Sequence, residues 1–394
     1  MGEKKSLLVD KNRMPLAVGV AFVAFTTQFG GGFASGAQIY AYFINHGVWC
    51  LFLPFFTQFL YALFFWYGMR YAYRNKLYDY RSFSDQFYGK YRVLFSNLFE
   101  ITYLIMIGTA SAAAFATGGS TLNMLFGIPY WLCTLVVGVF IAVIALYGTS
   151  MVRKAAATLS VLIILGLVVV LVPNIIAQWG AIGDSVTKMA GGTMSITSKE
   201  SGAFGAALKL AFLYFLFQLP SVSVMYQHVA PLTSEKQVNQ AAIYIFITNT
   251  VTMMLTIVGL LAVAFVPELV GAPVPMLVLV QSGVGASVLT PIISILIILG
   301  AVSTGVNMVS GIVTRCVNAM ERRIPDPKKR ASGHQMRNIA FSVLFTTIAF
   351  AIAQFGLMAV VKKGYAYLGY AGLISVFIPF VVRFIVDLSK KEKA

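Results

Sequence analysis

Apolar residues run through this chain in long unbroken blocks. Ten blocks stand out, at about 15–44, 47–73, 92–122, 129–149, 153–175, 203–229, 236–267, 286–319, 337–359 and 365–387. Most approach or exceed the roughly 18 residues a helix needs to cross hydrocarbon. Strands of a membrane barrel would alternate apolar and polar residues over about ten positions instead. The pattern predicts an all-α polytopic membrane protein with ten transmembrane helices. Between the first two blocks, Ile44, Asn45, His46 and Gly47 read as a tight turn. The longest polar interval, Pro173 to Ser201, contains Gly180, Gly183, Asp184, Gly191, Gly192, Thr193 and Thr197. It reads as an external loop with room for a short surface helix. No linker separates soluble domains, so residues 1–394 read as one transmembrane domain.

Composition agrees. Hydrophobic residues make up 59% of the chain and charged residues 11%, whereas soluble domains carry about 25% charged residues. The first block runs far past a signal-peptide core and ends without a small-residue cleavage site, so no cleavable signal is expected. A net charge of +16 invites a nucleic-acid partner, but the basic residues sit in short loops, where membrane topology accounts for them. One side collects Lys4, Lys5, Lys11, Arg13, Arg70, Arg74, Lys76, Arg81, Lys90, Arg92, Arg153, Lys154, Lys236, the cluster Arg315 to Arg337 and the tail Arg383 to Lys393. The other side has Lys188, Lys199, Lys362 and Lys363. This bias predicts that both termini are cytoplasmic, in keeping with an even number of spans. Cys50, Cys133 and Cys316 show no metal-binding spacing and read as free thiols. His46, His228 and His334 are scattered near loops and read as surface or interfacial residues.

Two of the blocks carry helix breakers. Gly30-Gly31-Gly32-Phe33-Ala34-Ser35-Gly36 interrupts the first, where each glycine costs about 1 kcal/mol relative to alanine. Gln218-Leu219-Pro220-Ser221 interrupts the sixth, because proline removes a backbone donor and crowds the preceding turn. The first helix of each five-helix half is therefore expected to be discontinuous. The halves divide as repeat one at about 15–175, a loop at 176–202 and repeat two at about 203–387. Five helices per half make the second half enter from the opposite side, the mark of inverted repeats with a site at the paired breaks. Exposed backbone in hydrocarbon persists only where protein, water or ligand satisfies it. Close helix packing explains either break equally well when taken singly.

Polar side chains add candidates. On the eighth block Gly300, Ser303, Thr304, Asn307, Ser310, Gly311 and Thr314 share a face. That face fits a water path, a cation site or close helix packing. Gly108, Thr109 and Ser111 are its counterpart on the third block. Glu100 and Lys209 are charges within predicted spans. Glu100 fits a proton relay or an ion pair with Arg92, Arg153 or Lys154. Lys209 fits outward snorkelling or steering of an anionic substrate.

The GGGFASG segment, the Asn45-His46-Gly47 turn, the Pro220 break and Gly300-Ala301-Val302-Ser303-Thr304 resemble the LeuT fold of the amino acid–polyamine–organocation superfamily. The glycine-rich segment is most similar to its bacterial YkvI-like membrane proteins. This resemblance implies a multi-pass protein of the bacterial cytoplasmic membrane, monomeric or homodimeric, with no organic cofactor and a bound sodium ion. It implies sodium between the carbonyls of Gln28 and Gly31 and the hydroxyls of Ser303 and Thr304. It implies substrate between Gly30, Gly31, Gly32, Ala34 and Ser35 on one side and Phe217, Gln218 and Ser221 on the other. Tyr214 and Phe215 are then candidate aromatic gates, and Thr109 or Ser111 closes the site from the third span. Asn249 lies at a plausible depth for a second ion, though no clear second ligand set accompanies it. The glycine-rich segment also differs from that of the neurotransmitter:sodium branch.

The leading expectation is cation-coupled symport of an amino acid or related small zwitterion or amine. A proton-coupled or uncoupled exchanger is the alternative on the same fold, and a membrane-embedded small-ligand sensor is the alternative from another class. No Ser/His or His/Asp/Glu cluster within the spans points to an enzyme.

Overall fold

A computed structural model of the chain describes residues 15–147, 149–199 and 202–391, with the side chains of 149–160, 390 and 391 outside that description. Lys4, Lys5, Lys11, Arg13 and Lys393, with the side chains of Arg153 and Lys154, thus lie outside the described residues. Among the described residues all regular structure is helical. Seven helices are long and apolar enough to cross a membrane, or up to nine when each bent pair counts as one span.

The chain enters through α1 (Leu16–Gln28), whose 13 residues span about 20 Å at 1.5 Å per residue. That is short of the roughly 30 Å of a hydrocarbon core, so α1 cannot cross unaided. The crossing is continued, after a break, by α2 (Gly31–Ala34) and α3 (Ala37–Tyr42). Gly36 joins these two at φ +82°, a conformation a side chain would strain. The expected tight turn is a 3-10 segment, Ile44–Leu51, with Gly47 at φ +73°. It bends by 78° into α4 (Leu53–Asn75). Short α5 (Tyr80–Phe87) is capped by Asp79, whose carboxylate accepts the Ser82 N–H at 2.9 Å. Then come α6 (Arg92–Phe126), α7 (Tyr130–Tyr147) and α8 (Thr149–Ala177). A 77° bend leads into α9 (Trp179–Ala190), the short helix of the long polar interval. Pro173 lies inside α8, so that interval begins later than its composition implies.

The second half contains α10 (Phe204–Gln218), α11 (Val222–Met225) and α12 (Glu235–Leu261). It continues through α13 (Pro275–Gln281), α14 (Ala286–Glu321) and α15 (Pro327–Ala353). The last span strings α16 (Leu357–Ala359), α17 (Tyr365–Gly372) and α18 (Ile378–Lys391) through π turns at 360–364 and 373–377.

The structure corrects several expectations. At Pro220 the sixth span does not open into extended backbone as the first does: α10 ends at Gln218, Leu219–Ser221 form a 3-10 turn, and the flanking Gln218 and Val222 keep right-handed helical dihedrals. Residues Phe204–Val229 form one 26-residue span. Proline withholds the N–H that Leu216 would accept. A Cβ on Gly372 of α17 would lie only 2.5 Å from the Leu216 carbonyl oxygen and 3.5 Å from Pro220 Cδ. The 3-10 turn instead supplies the Leu219 N–H to the Leu216 carbonyl, and Gly372 packs closely against it, so no gap opens in the helix. The ninth span starts at Pro327, ten residues early, because Asp326 caps it and proline fits its first turn. Its charged start was read as loop because hydropathy marks the membrane, not the helix. The tenth span starts at Leu357 rather than 365. His46 and His228 are buried, at 1% and 2% exposure, and only His334 is a surface histidine. Cys50, Cys133 and Cys316 are free thiols, the first two buried.

One end of the bundle is tied by charge. Arg70 and Arg74 of α4 pair with Glu235 of α12, Arg315 of α14 with Glu100 of α6, and Arg337 of α15 with Glu321 of α14. Glu100 therefore has a partner that the charge pattern did not single out, at 2.6 Å, and both side chains are solvent-accessible. The opposite end is closed by loops. Ser195 and Thr197 each donate to Asn45 Oδ1 at 2.7 Å, and Ser198 donates to the Asn45 carbonyl at 2.6 Å. Met276 N–H at the start of α13 donates to the Ser35 carbonyl at 3.0 Å.

Candidate functional site

The break in the first span is the feature around which polar groups gather. Phe29 leaves α1 at ψ 63°, and Gly30 is extended at φ −85°, ψ 178°. Gly31 and Gly32 open α2, where N–H groups have no intrahelical acceptor. All of Gln28–Ser35 is buried, so this exposed backbone lies inside protein and not against lipid, as the hydrocarbon solvent demands.

Three neighbours face the glycines. A Cβ on Gly30 would meet Thr304 Oγ1 of α14 at 3.6 Å. One on Gly31 would meet Thr117 Oγ1 of α6 at 2.7 Å and the Ala113 carbonyl at 3.3 Å. One on Gly32 would meet the Gln38 amide nitrogen at 2.8 Å. Gly300, a turn before Thr304, brings α14 up to Phe29 and Ala34. Thr304 itself donates to the Gly300 carbonyl at 2.9 Å, which leaves its oxygen lone pairs available. Ser303 is half-buried beside it, and Asn307 is exposed.

Buried polar atoms without partners cluster here. Thr117 Oγ1 and Gln38 Oε1 have none among the described residues, and neither has Ser111 Oγ, earlier on α6. Such a group costs about 1–3 kcal/mol when its hydrogen bond is unmade, so these two atoms beside the break would gain by hydrogen bonding to a polar ligand. Thr117 and Gln38 were not singled out from sequence. Thr117 falls two turns beyond Thr109 on α6, and only the position of α2 distinguishes it from the other small residues of that helix.

A second set of groups sits at the end of α1. The Gln28 side chain donates to Tyr214 Oη at 3.3 Å and accepts from Asn249 Nδ2 at 2.6 Å. This ties α1, α10 and α12 through a buried polar chain, with Asn249 Oδ1 unpartnered at its end. The Gln28 carbonyl accepts Gly30 N–H at 2.8 Å, and the Gly31 carbonyl accepts Ser35 N–H at 3.0 Å. Ser35 Oγ donates to the Gly32 carbonyl at 3.1 Å, and Ser221 Oγ to that of Gln218 at 2.6 Å.

Aromatic rings close over this region. Tyr214 packs edge-on to Tyr42 at 5.7 Å and to Phe217 at 4.8 Å, and Phe217 contacts Tyr365 at 4.7 Å. Phe215 points elsewhere, into Phe64, Phe212 and Phe377. Tyr214 and Phe215 thus face different neighbours. Adjacent helical residues diverge by about 100°, and the ring partners of Tyr214 are Tyr42, Phe43 and Phe217. Thr109 packs against Gly364 of the last span, 2.9 Å from where its Cβ would be. Lys209 is exposed. No Asp, Glu, Lys or Arg is among the buried side chains, and no metal-holding group of His, Cys, Asp or Glu occurs among the described residues.

No family model matches the chain, and no curated protein matches it. Solved structures do. A Na+-coupled sialic acid symporter, in a substrate-bound outward-open state, is 13% identical with a TM-score of 0.59, over 94% of this chain and 89% of that one. The chain thus shares a fold with a transporter along almost its whole length. A manganese transporter of Eremococcus coleocola is 14% identical over 94% of this chain and 86% of that one, with a TM-score of 0.48.

Proposed function

We propose that this chain is a secondary transporter with a ten-helix, inverted-repeat arrangement, and that it binds a small zwitterion such as an amino acid at the Phe29–Gly30 break. The observation that carries this reading is the buried break itself, ringed by Thr304, Thr117 and Gln38 with unpartnered polar atoms. The absence of a buried charged side chain among the described residues favours a substrate whose own charges balance. Its carboxylate would be met by the Thr117 hydroxyl and the backbone N–H groups of Gly31 and Gly32. Its ammonium would be met by carbonyl oxygens and aromatic faces.

Coupling to sodium rests on oxygen chemistry. Thr304 Oγ1 faces the break, Ser303 is beside it, and the Gln28 and Gly31 carbonyls each retain a lone pair beyond the bond already made. Hydroxyl and carbonyl oxygens suit a hard monovalent cation. Glu100 is a weak candidate for proton coupling, since it is accessible and paired with Arg315. Ion binding would bridge α1 to α14, and substrate would bridge α2 to α6. Alternating access then requires the Asn45 latch and the Tyr42–Tyr214–Phe217 cluster to part. The test is uptake of a labelled amino-acid pool into proteoliposomes under imposed gradients. Uptake driven by a sodium gradient is expected. Accumulation driven only by a proton gradient contradicts the sodium assignment, and no gradient-dependent uptake of any zwitterion contradicts the transport reading.

A further inference from the structure

At the charged end of the bundle, α4 and α18 enclose a cavity of about 260 Å³ that has no part in the break. It is lined by the aromatic side chains of Trp66, Tyr67, Tyr71 and Phe384 together with Arg70 and Arg74. We infer that this cavity binds the headgroup of an anionic phospholipid.

The order of residues along α4 supports this. Phe59, Leu63, Trp66, Arg70 and Arg74 follow at intervals of three and four, so they form one stripe on the helix. The stripe runs from apolar through aromatic to basic, and Phe59 and Leu63 are 56% and 40% exposed. This is the sequence of chemistry from acyl chain to interface to phosphate. On α18, Phe384 and Leu388 are 40% and 48% exposed on the other wall.

The charges leave an anion-binding surplus. Two arginines share the single carboxylate of Glu235, Arg70 through Nε at 3.3 Å and Arg74 through Nη2 at 2.9 Å. A guanidinium has five N–H donors, so Arg70 keeps its terminal nitrogens for a phosphate, where a planar fork fits well. Its guanidinium lies 5.0 Å from the ring centroid of Trp66, and both residues line the cavity. The other carboxylate at the site, Asp387, is neutralised by Arg383 at 3.3 Å and accepts the Tyr67 hydroxyl at 2.8 Å. The net excess is one positive charge beside an apolar groove facing lipid.

Trp66 reports on the site directly. The chain has 4 tryptophans; the other three, Trp49, Trp131 and Trp179, do not line the cavity. Protein in nanodiscs should be compared with its W66F variant in brominated phosphatidylglycerol and brominated phosphatidylcholine at equal mole fraction. The quenching that W66F removes belongs to Trp66. It should favour phosphatidylglycerol by about fivefold, the scale of one basic side chain at an anionic surface. In R70Q, which leaves the Arg74–Glu235 pair in place, that preference should disappear. Equal quenching of Trp66 by the two lipids overturns the inference without requiring any arginine variant to fold. Full preference in a folded R70Q protein overturns it as well.

Discussion

Gly31 and Gly30 are neighbours with different tasks. A methyl at Gly31 would lie 2.7 Å from Thr117 Oγ1 and 3.0 Å from its Cβ, whereas one at Gly30 meets nothing closer than 3.6 Å. Gly30 is also at φ −85°, which any residue adopts. Gly31→Ala should therefore lower uptake by tenfold or more, about 1.4 kcal/mol in free energy, while Gly30→Ala keeps most of it. Equal loss in both variants would show that the Thr117 contact does not shape the site. The Gln28–Asn249 hydrogen bond makes a separate prediction. Asn249→Ala leaves Gln28 Oε1 buried without its donor, at a cost of about 1–3 kcal/mol. Gln28→Leu combined with Asn249→Leu should cost less than the sum of the single changes, measured by thermal unfolding in detergent. Strict additivity would mean that the two side chains do not interact. At this scale sequence was informative where chemistry is intrinsic to one residue. Glycine repeats marked the break, and hydroxyls at Ser303 and Thr304 stood out against an apolar helix. Thr117, Gln38 and Tyr365 were invisible because their neighbours come from distant segments.

Helical elements were legible through continuous hydropathy, and their ends were not. Pro220 shows why: a proline alone predicts a gap, but a 3-10 turn gives the Leu216 carbonyl the Leu219 N–H, and Gly372 packs against that same carbonyl. Gly372→Ala would place a methyl 2.5 Å from that oxygen. Overpacking of this kind costs about 1–3 kcal/mol, so a lowered unfolding temperature is expected; an unchanged one would mean that α17 is not held against α10 as described. The buried α13, Pro275–Gln281, was missed because seven residues are too few to show a helical period. The loop at 193–199 was recognised as polar, but its attachment was hidden. Asn45 accepts from Ser195, Thr197 and Ser198 together. Asn45→Ala removes the shared side-chain acceptor and should speed hydrogen exchange across 193–199. Unaltered exchange there would remove this loop from the gating account.

The molecule as a whole is a bundle bolted by ion pairs at one end and by loop hydrogen bonds at the other. Between them is a break in one helix that no buried charged side chain among the described residues approaches. Its membrane character was legible from composition, because a lipid solvent imposes long apolar helices. Which helices surround the break was not, since that depends on packing between residues far apart in the chain. In the proposed mechanism the break in the first span, facing Thr304, couples a cation to a small substrate. This coupling is tested most directly by substrate-induced currents on a solid-supported membrane, recorded with sodium or with choline as the bulk cation, for the parent protein and Thr304→Ala. A zwitterion-evoked current that requires sodium in the parent and is lost in a folded Thr304→Ala protein is expected. An equal current in choline, or full sodium dependence without the Thr304 hydroxyl, would contradict it.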